Sequence, residues 1–372
     1  MKRIFSLVVI LLIICNLIWV GCQKKVEEKV VKIGAILPLT GPGAPYGESE
    51  KKGMDLAIKH VNAREHNIKL IYEDSQTNPS VGVSAARKLI QIDKVKVILG
   101  ALASSVTLAI APIAEKNEIV LITPGSSNPE ISRAGDYIFR LYPSDDYQGK
   151  ILAEWAIRSN IKRVAILYVN NDFGKGLMTK FSKVFENKGG EVIIAEAYDQ
   201  GETNFRSYLT KIGASKAQGL FIIASGQENA TILIQAKELG IKTQIFAPDS
   251  FKDENVIKTS GYAAEGVICA APHFGLYDKR AHVRKFVEAY KATYGTEPNV
   301  FAAYGYDVVS LISSLINQLG YDAEKIKNAL YKIQYEGVTG PISFDKNGDL
   351  NAEMDLFVVK NGVFIPLKIG FD

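Results

Sequence analysis

The 372-residue sequence predicts an α/β protein of two lobes, each built on a parallel sheet, with the chain passing three times between them. Three observations carry that expectation. From residue 30 onward, short apolar runs alternate with amphipathic stretches of helical period, the pattern of βαβ units. About 340 residues follow the N-terminal leader, too many for one ordinary core. The alternating series is also interrupted at Tyr142-Pro143-Ser144 and again at Pro272, which divides it into two sets of strands.

Residues 1–21 read as a targeting signal. Lys2 and Arg3 precede an apolar run over residues 4–20, and Trp19-Val20-Gly21-Cys22 closes it with a small residue before cysteine. The run is marginal for spanning a bilayer, and the small-residue ending favours cleavage over an uncleaved anchor helix. The tetrapeptide resembles the lipobox of bacterial lipoproteins, which makes Cys22 the lipidated residue and residues 22–29 a charged tether. Either reading places the folded part outside the cytoplasm, attached to a membrane. Cys15 leaves with the signal, and Cys269 lies in an apolar run as a small core residue, so no disulfide framework exists. Without Lys2 and Arg3 the formal charge of +4 falls to +2. No basic stripe with interleaved aromatics accompanies it, so nucleic acid is not an expected partner.

In the first series, strands are expected over residues 30–39, 68–73, 95–99, 119–122 and 137–141, with helices over 47–64, 80–91 and 106–116. A parallel sheet places its ligand crevice at the carboxyl ends of its strands. The pairs Ser104-Ser105 and Ser126-Ser127 both fall there, on adjacent strands. Ser104 or Ser105 at a helix N-cap would aim unpaired amides and the positive end of the helix dipole into that crevice, a site suited to a carboxylate or phosphate.

The second series has helices expected at 146–159, 173–187, 205–213 and 228–239, and strands at 164–169, 191–197, 219–224, 244–247 and 266–271. Helices at 280–294, 301–319 and 323–332 follow without strands and are expected to pack back on the first sheet. Strands at 340–344, 356–360 and 363–369 close the chain. The first lobe is thus 30–142 plus 272–338, and the second 143–271 plus 339–372. The Asp345-Lys346-Asn347-Gly348-Asp349 segment reads as a turn, since its glycine comes two positions too early for an EF-hand loop. Lobes linked three times form a hinged clamshell that closes over a ligand.

Enzyme chemistry finds little support. Gly41-Pro42-Gly43-Ala44-Pro45-Tyr46-Gly47 sits where a dinucleotide loop would, with Asp74 ending the next strand. Its last glycine is one position late, and Pro42 and Pro45 lack the amide donors a pyrophosphate needs. Gly174-Lys175-Gly176 matches no P-loop. Four scattered histidines lack metal-ligand spacing, and no Gly-x-Ser-x-Gly elbow is present. No metal, cofactor or catalytic residue is expected, and the sequence reads as a binder rather than an enzyme.

The pattern Gly34-Ala35-Ile36-Leu37-Pro38-Leu39-Thr40-Gly41 with Tyr46-Gly47, then Gly100-Ala101-Leu102-Ala103-Ser104-Ser105 and Thr123-Pro124-Gly125-Ser126-Ser127, resembles the leucine/isoleucine/valine-binding proteins. The likeness continues through Asn171-Asp172-Phe173-Gly174, Ala247-Pro248-Asp249, Tyr304-Gly305-Tyr306-Asp307 and Gly340-Pro341-Ile342-Ser343-Phe344-Asp345, in order along the whole chain after the leader. The resemblance implies the type I periplasmic binding protein fold: two Rossmann-like lobes with parallel sheets joined by a three-strand hinge. It also implies a monomeric, extracytoplasmic receptor that hands an amino acid to an ABC permease. It further implies that the ligand carboxylate is held by Ser104, through its hydroxyl and amide, and by Ser127. The ammonium is implied to meet the Gly125 carbonyl, the Ser127 hydroxyl and Asp249 from the other lobe. Ser105 and Ser126 complete the hydroxyl set. Tyr46 and Phe301 match aromatic pocket positions, Phe173 stands where tyrosine is usual, and Gly226 replaces an aromatic wall, enlarging the pocket beside Gln227. The expected ligand is an L-amino acid with an aliphatic or larger side chain. Alternatives are an amide, urea or aromatic acid in the same fold, or a sensory ectodomain.

Overall fold

A computed structural model describes residues 30–367 except 63–66, 273, 277 and 353. The expected leader, the lipidation at Cys22, the tether and the strand residues beyond 367 lie outside the described residues.

The first sheet contains β1 (Val31–Leu37), β2 (Ile68–Asp74), β3 (Val97–Gly100), β4 (Val120–Thr123) and β5 (Ile138–Arg140). All neighbours are parallel, in the order β2-β1-β3-β4-β5. Helices α1 (Ala44–Asn62), α2 (Pro79–Gln91) and α3 (Ser104–Lys116) make the first crossovers. Every residue of β3 and β4 is buried, as expected of strands covered on both faces. Alternate residues supply two cores: Ile33, Ala35 and Leu99 face α1, whereas Ile36, Ile98 and Leu121 pack with Leu89 of α2 and Val106 of α3.

The second lobe repeats this winding. Its strands are β6 (Arg163–Val169), β7 (Glu191–Tyr198), β8 (Gly219–Ile223), β9 (Gln244–Ala247) and β10 (Ile268–Pro272), in the parallel order β7-β6-β8-β9-β10. Helices α4 (Asp145–Arg158), α5 (Asp172–Asn187), α6 (Arg206–Ala214), α7 (Gln227–Glu238) and a short α8 (Glu254–Ser260) cover it. The chain then returns to the first lobe as α9 (Ala281–Tyr294), α10 (Val300–Leu319) and α11 (Ala323–Leu330), followed by the hairpin β11 (Tyr335–Gly337) and β12 (Gly340–Ile342). The last strands, β13 (Met354–Lys360) and β14 (Val363–Pro366), extend the second sheet antiparallel. Helix α10 is long and apolar enough to cross a membrane, yet it is buried for most of its length against the first core. Each buried Leu, Ile or Val stabilises by roughly 1.5–3 kcal/mol, so the lobes rest on these cores. Cys269 is one buried member, its thiol pushed up to about 12 by burial.

One lobe boundary differs from expectation. Residues 340–350 belong with the first lobe, not the second, because β12 pairs with β11, and Phe344 and Leu350 fill the first core. Asp349 also forms an isolated bridge with Arg140 of β5. The third passage between lobes therefore lies between Leu350 and Met354. Helix α1 begins at Ala44, three residues earlier than expected, because Pro45 is tolerated in a first helical turn.

Candidate functional site

In a sheet of order 2-1-3-4-5 the winding direction switches between strands 1 and 3, and ligands bind at the carboxyl ends there. This chain has two such points, β1/β3 and β6/β8, and they face each other across one cleft. The cleft encloses a cavity of about 70 Å³. That is room for about five waters, the scale of a small metabolite.

The first lobe contributes Gly43 and Tyr46 after β1, Thr77 after β2, Leu102 to Ser105 after β3, Gly125 and Ser127 after β4, and Phe301 opening α10. The second lobe contributes Asn171 and Phe173 after β6, Gln200 after β7, Ser225 after β8, and Asp249 with Ser250 after β9. Of the residues expected from sequence, Tyr46, Ser104, Ser105, Gly125, Ser127, Phe173, Asp249 and Phe301 line the same cavity. Ser126 and Gly226 do not.

Ser126 is fully buried, and its hydroxyl lies 2.7 Å from Thr107 Oγ1 and donates to the Ala101 carbonyl at 2.8 Å. It ties the loop after β4 to the loop after β3. Gly226 adopts φ +52°, a conformation side chains other than glycine's rarely take, and its amide donates to Tyr46 Oη at 2.6 Å. It seats a latch between the lobes instead of widening a wall. The Tyr46 hydroxyl in turn donates to the Ser250 carbonyl at 2.8 Å. Gln227 opens α7 and does not line the cavity.

The helix start at the cavity differs in detail from the expected serine cap. The N-cap of α3 is Ala103, which makes no side-chain cap, and Ser104 is the first helical residue. The amides of Ser104 and Ser105 thus belong to the helix's unpaired first turn, at the positive end of its dipole. The Ser104 hydroxyl accepts from the Asn128 amide at 3.2 Å, which fixes its position over that turn.

The opposite end is acidic. Asp249 is 5 % exposed and accepts the Tyr142 hydroxyl and the Ser250 amide, the latter at 2.9 Å. Burial raises its carboxyl above the ordinary value, and these hydrogen bonds oppose the rise. Its own amide donates to Gln148 Oε1 at 2.7 Å, and Gln148 Nε2 donates to Asp145 Oδ1 at 3.0 Å. Asp145 is pushed up to about 8, first by burial and then by the charge of Asp249. The Asp145 amide donates to the Ser127 carbonyl at 2.9 Å. The fully buried Arg140 donates to the Ser127 and Asn128 carbonyls, both at 2.8 Å, and pairs with Asp349 at 2.6 Å. The loop carrying Ser127 is therefore held from behind by a guanidinium and from the hinge by α4.

Sequence reasoning did not single out Tyr142, Asp145, Gln148 or Arg140. In sequence Asp145 is an acid in a helix first turn, a common capping arrangement. Asp74, by contrast, spends its carboxylate on the Leu39, Thr40 and Gln76 amides, closing the turn after β1. The Asp345 carboxylate similarly accepts the Asn347 and Asp349 amides, the expected turn.

Between the two ends lies an aromatic wall. Tyr46 and Phe301 have ring centroids 4.8 Å apart, and Tyr142 stacks near Phe301 at 6.1 Å. A family model described as periplasmic binding protein matches residues 30–363. The leucine-, isoleucine-, valine-, threonine- and alanine-binding protein of Pseudomonas aeruginosa is 28% identical over 327 residues, covering 86% of this chain and 87% of that protein. Among solved structures, the leucine binding protein LivK of Thermotoga maritima superposes with a TM-score of 0.84 at 29% identity, over 91% of this chain and 98% of that one. The branched-chain amino acid substrate binding protein LivJ of Streptococcus pneumoniae, in complex with isoleucine, gives a TM-score of 0.83 at 28% identity, over 90% and 98%.

Proposed function

The chain belongs to the periplasmic binding protein family, and from that premise we propose that it is an extracytoplasmic receptor that captures an L-amino acid in its interlobe cleft and hands it to an ABC importer. The favoured ligand has an aliphatic or larger side chain. One observation carries this reading: Ser104 and Ser127 of the first lobe share a single small cavity with Asp249 of the second. A zwitterion needs an anion site and a cation site close together, and leaving either charge unpaired on burial costs several kcal/mol. A helix N-terminus and hydroxyls on one lobe and a carboxylate on the other meet both needs only when the lobes close, so ligand affinity drives closure. The aromatic faces of Tyr46, Phe173 and Phe301 suit an apolar side chain. The receptor acts as a monomer, anchored by a lipid on Cys22, and performs no covalent chemistry.

Calorimetric titration of the folded protein with a panel of L-amino acids tests the reading. Stoichiometric binding of at least one aliphatic or aromatic member is expected, and silence across the panel overturns it.

A further inference from the structure

We propose that Glu50 is a concealed second acid of the cation end of this cleft, selecting ligands that carry an ammonium group and giving up a proton when one is captured. The inference rests on the amino-acid reading above and extends it to a residue that does not line the cavity.

Glu50 lies on α1 four residues after Tyr46, hence on the same helical face. It is fully buried, and neither carboxyl oxygen has a hydrogen-bond partner. Native proteins rarely leave such a group unpaired, because its desolvation is uncompensated. Its position is fixed from outside by close helix packing: a Cβ on Gly305 of α10 would come 2.3 Å from the Glu50 carbonyl oxygen. On the inner side the carboxyl stands directly behind Gly125, where a Cβ would come 2.6 Å from Glu50 Oε1. Gly125 itself lines the cavity. A side chain at this position would meet the carboxyl behind it, and glycine leaves only a thin layer of backbone between that carboxyl and the cavity.

The titratable groups around it are few. Tyr142, following β5, lies close enough to Glu50 that an ionised Glu50 carboxylate would raise its hydroxyl, and it gives that hydroxyl to Asp249. Tyr304 of α10 abuts Tyr142 with centroids 4.9 Å apart. Across the cleft stand Asp249 and, beside it, Asp145. The nearby cation, Arg140, is committed to Asp349. The acids do not converge as a metal centre requires: among the described residues no such grouping occurs.

Burial alone holds the Glu50 carboxyl well above its ordinary value, which favours its protonated form. An ammonium held at the Gly125 carbonyl places a cation on the far side of that backbone layer. The cation favours the ionised carboxylate, the proton departs to solvent, and Glu50 joins Asp249 as counter-charge. A ligand with a carboxylate and no ammonium brings no cation, so Glu50 stays protonated. Because capture releases a proton, affinity for an amino acid rises with pH, whereas affinity for its des-amino analogue does not through this group.

The test is calorimetry of the purified protein in phosphate and in Tris at one pH, buffers whose ionisation heats differ widely. The probes are the best binder of the L-amino acid panel and its des-amino acid, for example L-leucine and 4-methylpentanoate. About half a proton or more is expected to leave per amino acid bound, and none with the analogue. Glu50→Gln, nearly isosteric, should abolish most of that release and weaken the amino acid about tenfold, while moving the analogue less than about threefold. Equal heats in both buffers for the wild-type protein overturn the inference, as does release that persists unchanged in Glu50→Gln. Should Glu50→Gln fail to fold, Asp145→Asn takes its place: release that persists in that variant supports Glu50 as its source, and release lost with it overturns the inference. Absence of any amino-acid binder sinks the proposed function itself, which is a distinguishable outcome.

Discussion

Replacing Asp249 by asparagine removes the charge proposed to face the ligand ammonium while keeping the side chain's shape. The asparagine Oδ1 still accepts from the Ser250 amide, and its Nδ2, in place of the oxygen that Tyr142 meets, can donate to the Tyr142 hydroxyl, so the fold around it should persist. What is lost is one partner of a buried charge pair, and such losses cost about 3–5 kcal/mol. At about 1.4 kcal/mol per tenfold, that weakens an amino acid between roughly a hundredfold and a few thousandfold. The lower end is expected here, because the Gly125 carbonyl remains in place and Glu50 lies behind it. For the des-amino acid the sign reverses: its carboxylate no longer meets a facing acid, so its affinity should hold or improve. Isothermal titration of both ligands against both proteins reads the difference directly. Weakening of the amino acid by less than about threefold refutes the assignment of Asp249 to the ammonium. Equal weakening of both ligands refutes it as well, placing Asp249 in lobe closure instead.

Four further outcomes are expected. Tyr46→Phe removes the hydroxyl that bridges Gly226 and Ser250 of the second lobe, leaving a buried amide unpaired. At about 1–3 kcal/mol, affinity should fall roughly tenfold or more, and small-angle scattering of the liganded protein should show a larger radius of gyration. Arg140→Met strands Asp349 and two loop carbonyls, and urea unfolding should report a loss of about 3–5 kcal/mol. Asp145 has a folded-state pKa raised from 3.8 to about 8, so its favourable contribution is complete below the unfolded value and is lost as pH rises through 8. Wild-type urea midpoints should therefore decline between about pH 5 and 8, with a shallower decline in Asp145→Asn. Cys22→Ser should move the protein from the membrane fraction to the soluble one, if lipid on that cysteine is its tether.

Most of the fold was legible because the central strands of both sheets are buried on both faces and so appear as short unbroken apolar runs such as Val97 to Leu99 and Leu220 to Ile223. The strand-end hydroxyls were legible for a related reason, since crevice position follows from winding order. The misassigned segment was Gly340 to Leu350, where three-residue strands carry too little pattern to reveal which lobe they join, and pairing with Tyr335 to Gly337 decides it. Ser126 looked equivalent to Ser127 because adjacent residues on a turn are indistinguishable until the backbone shows which side chain points inward. Gly226 looked like a missing side chain, and only its positive φ reveals that the backbone needs glycine there. Glu50 was hidden in a run of charged residues, Glu48 to Lys52, that reads as a solvated helix face.

The acids that escaped notice share one physical property: none of them is placed by its own neighbours in sequence. Asp145 and Gln148 sit one helical turn apart on α4, yet what they orient lies at the ends of two different sheets, Ser127 after β4 and Asp249 after β9. Helix α4 is also the first element beyond the crossing at residues 142–144, so it moves with the second lobe while its amino terminus is bonded to the first. The same few residues, Gln148 and Asp145, therefore link the Ser127 loop of the first lobe to Asp249 of the second. If the ligand is the proposed amino acid, its cationic end is read beside the hinge, and a neutral isostere of the same size should leave the closed form much less favoured.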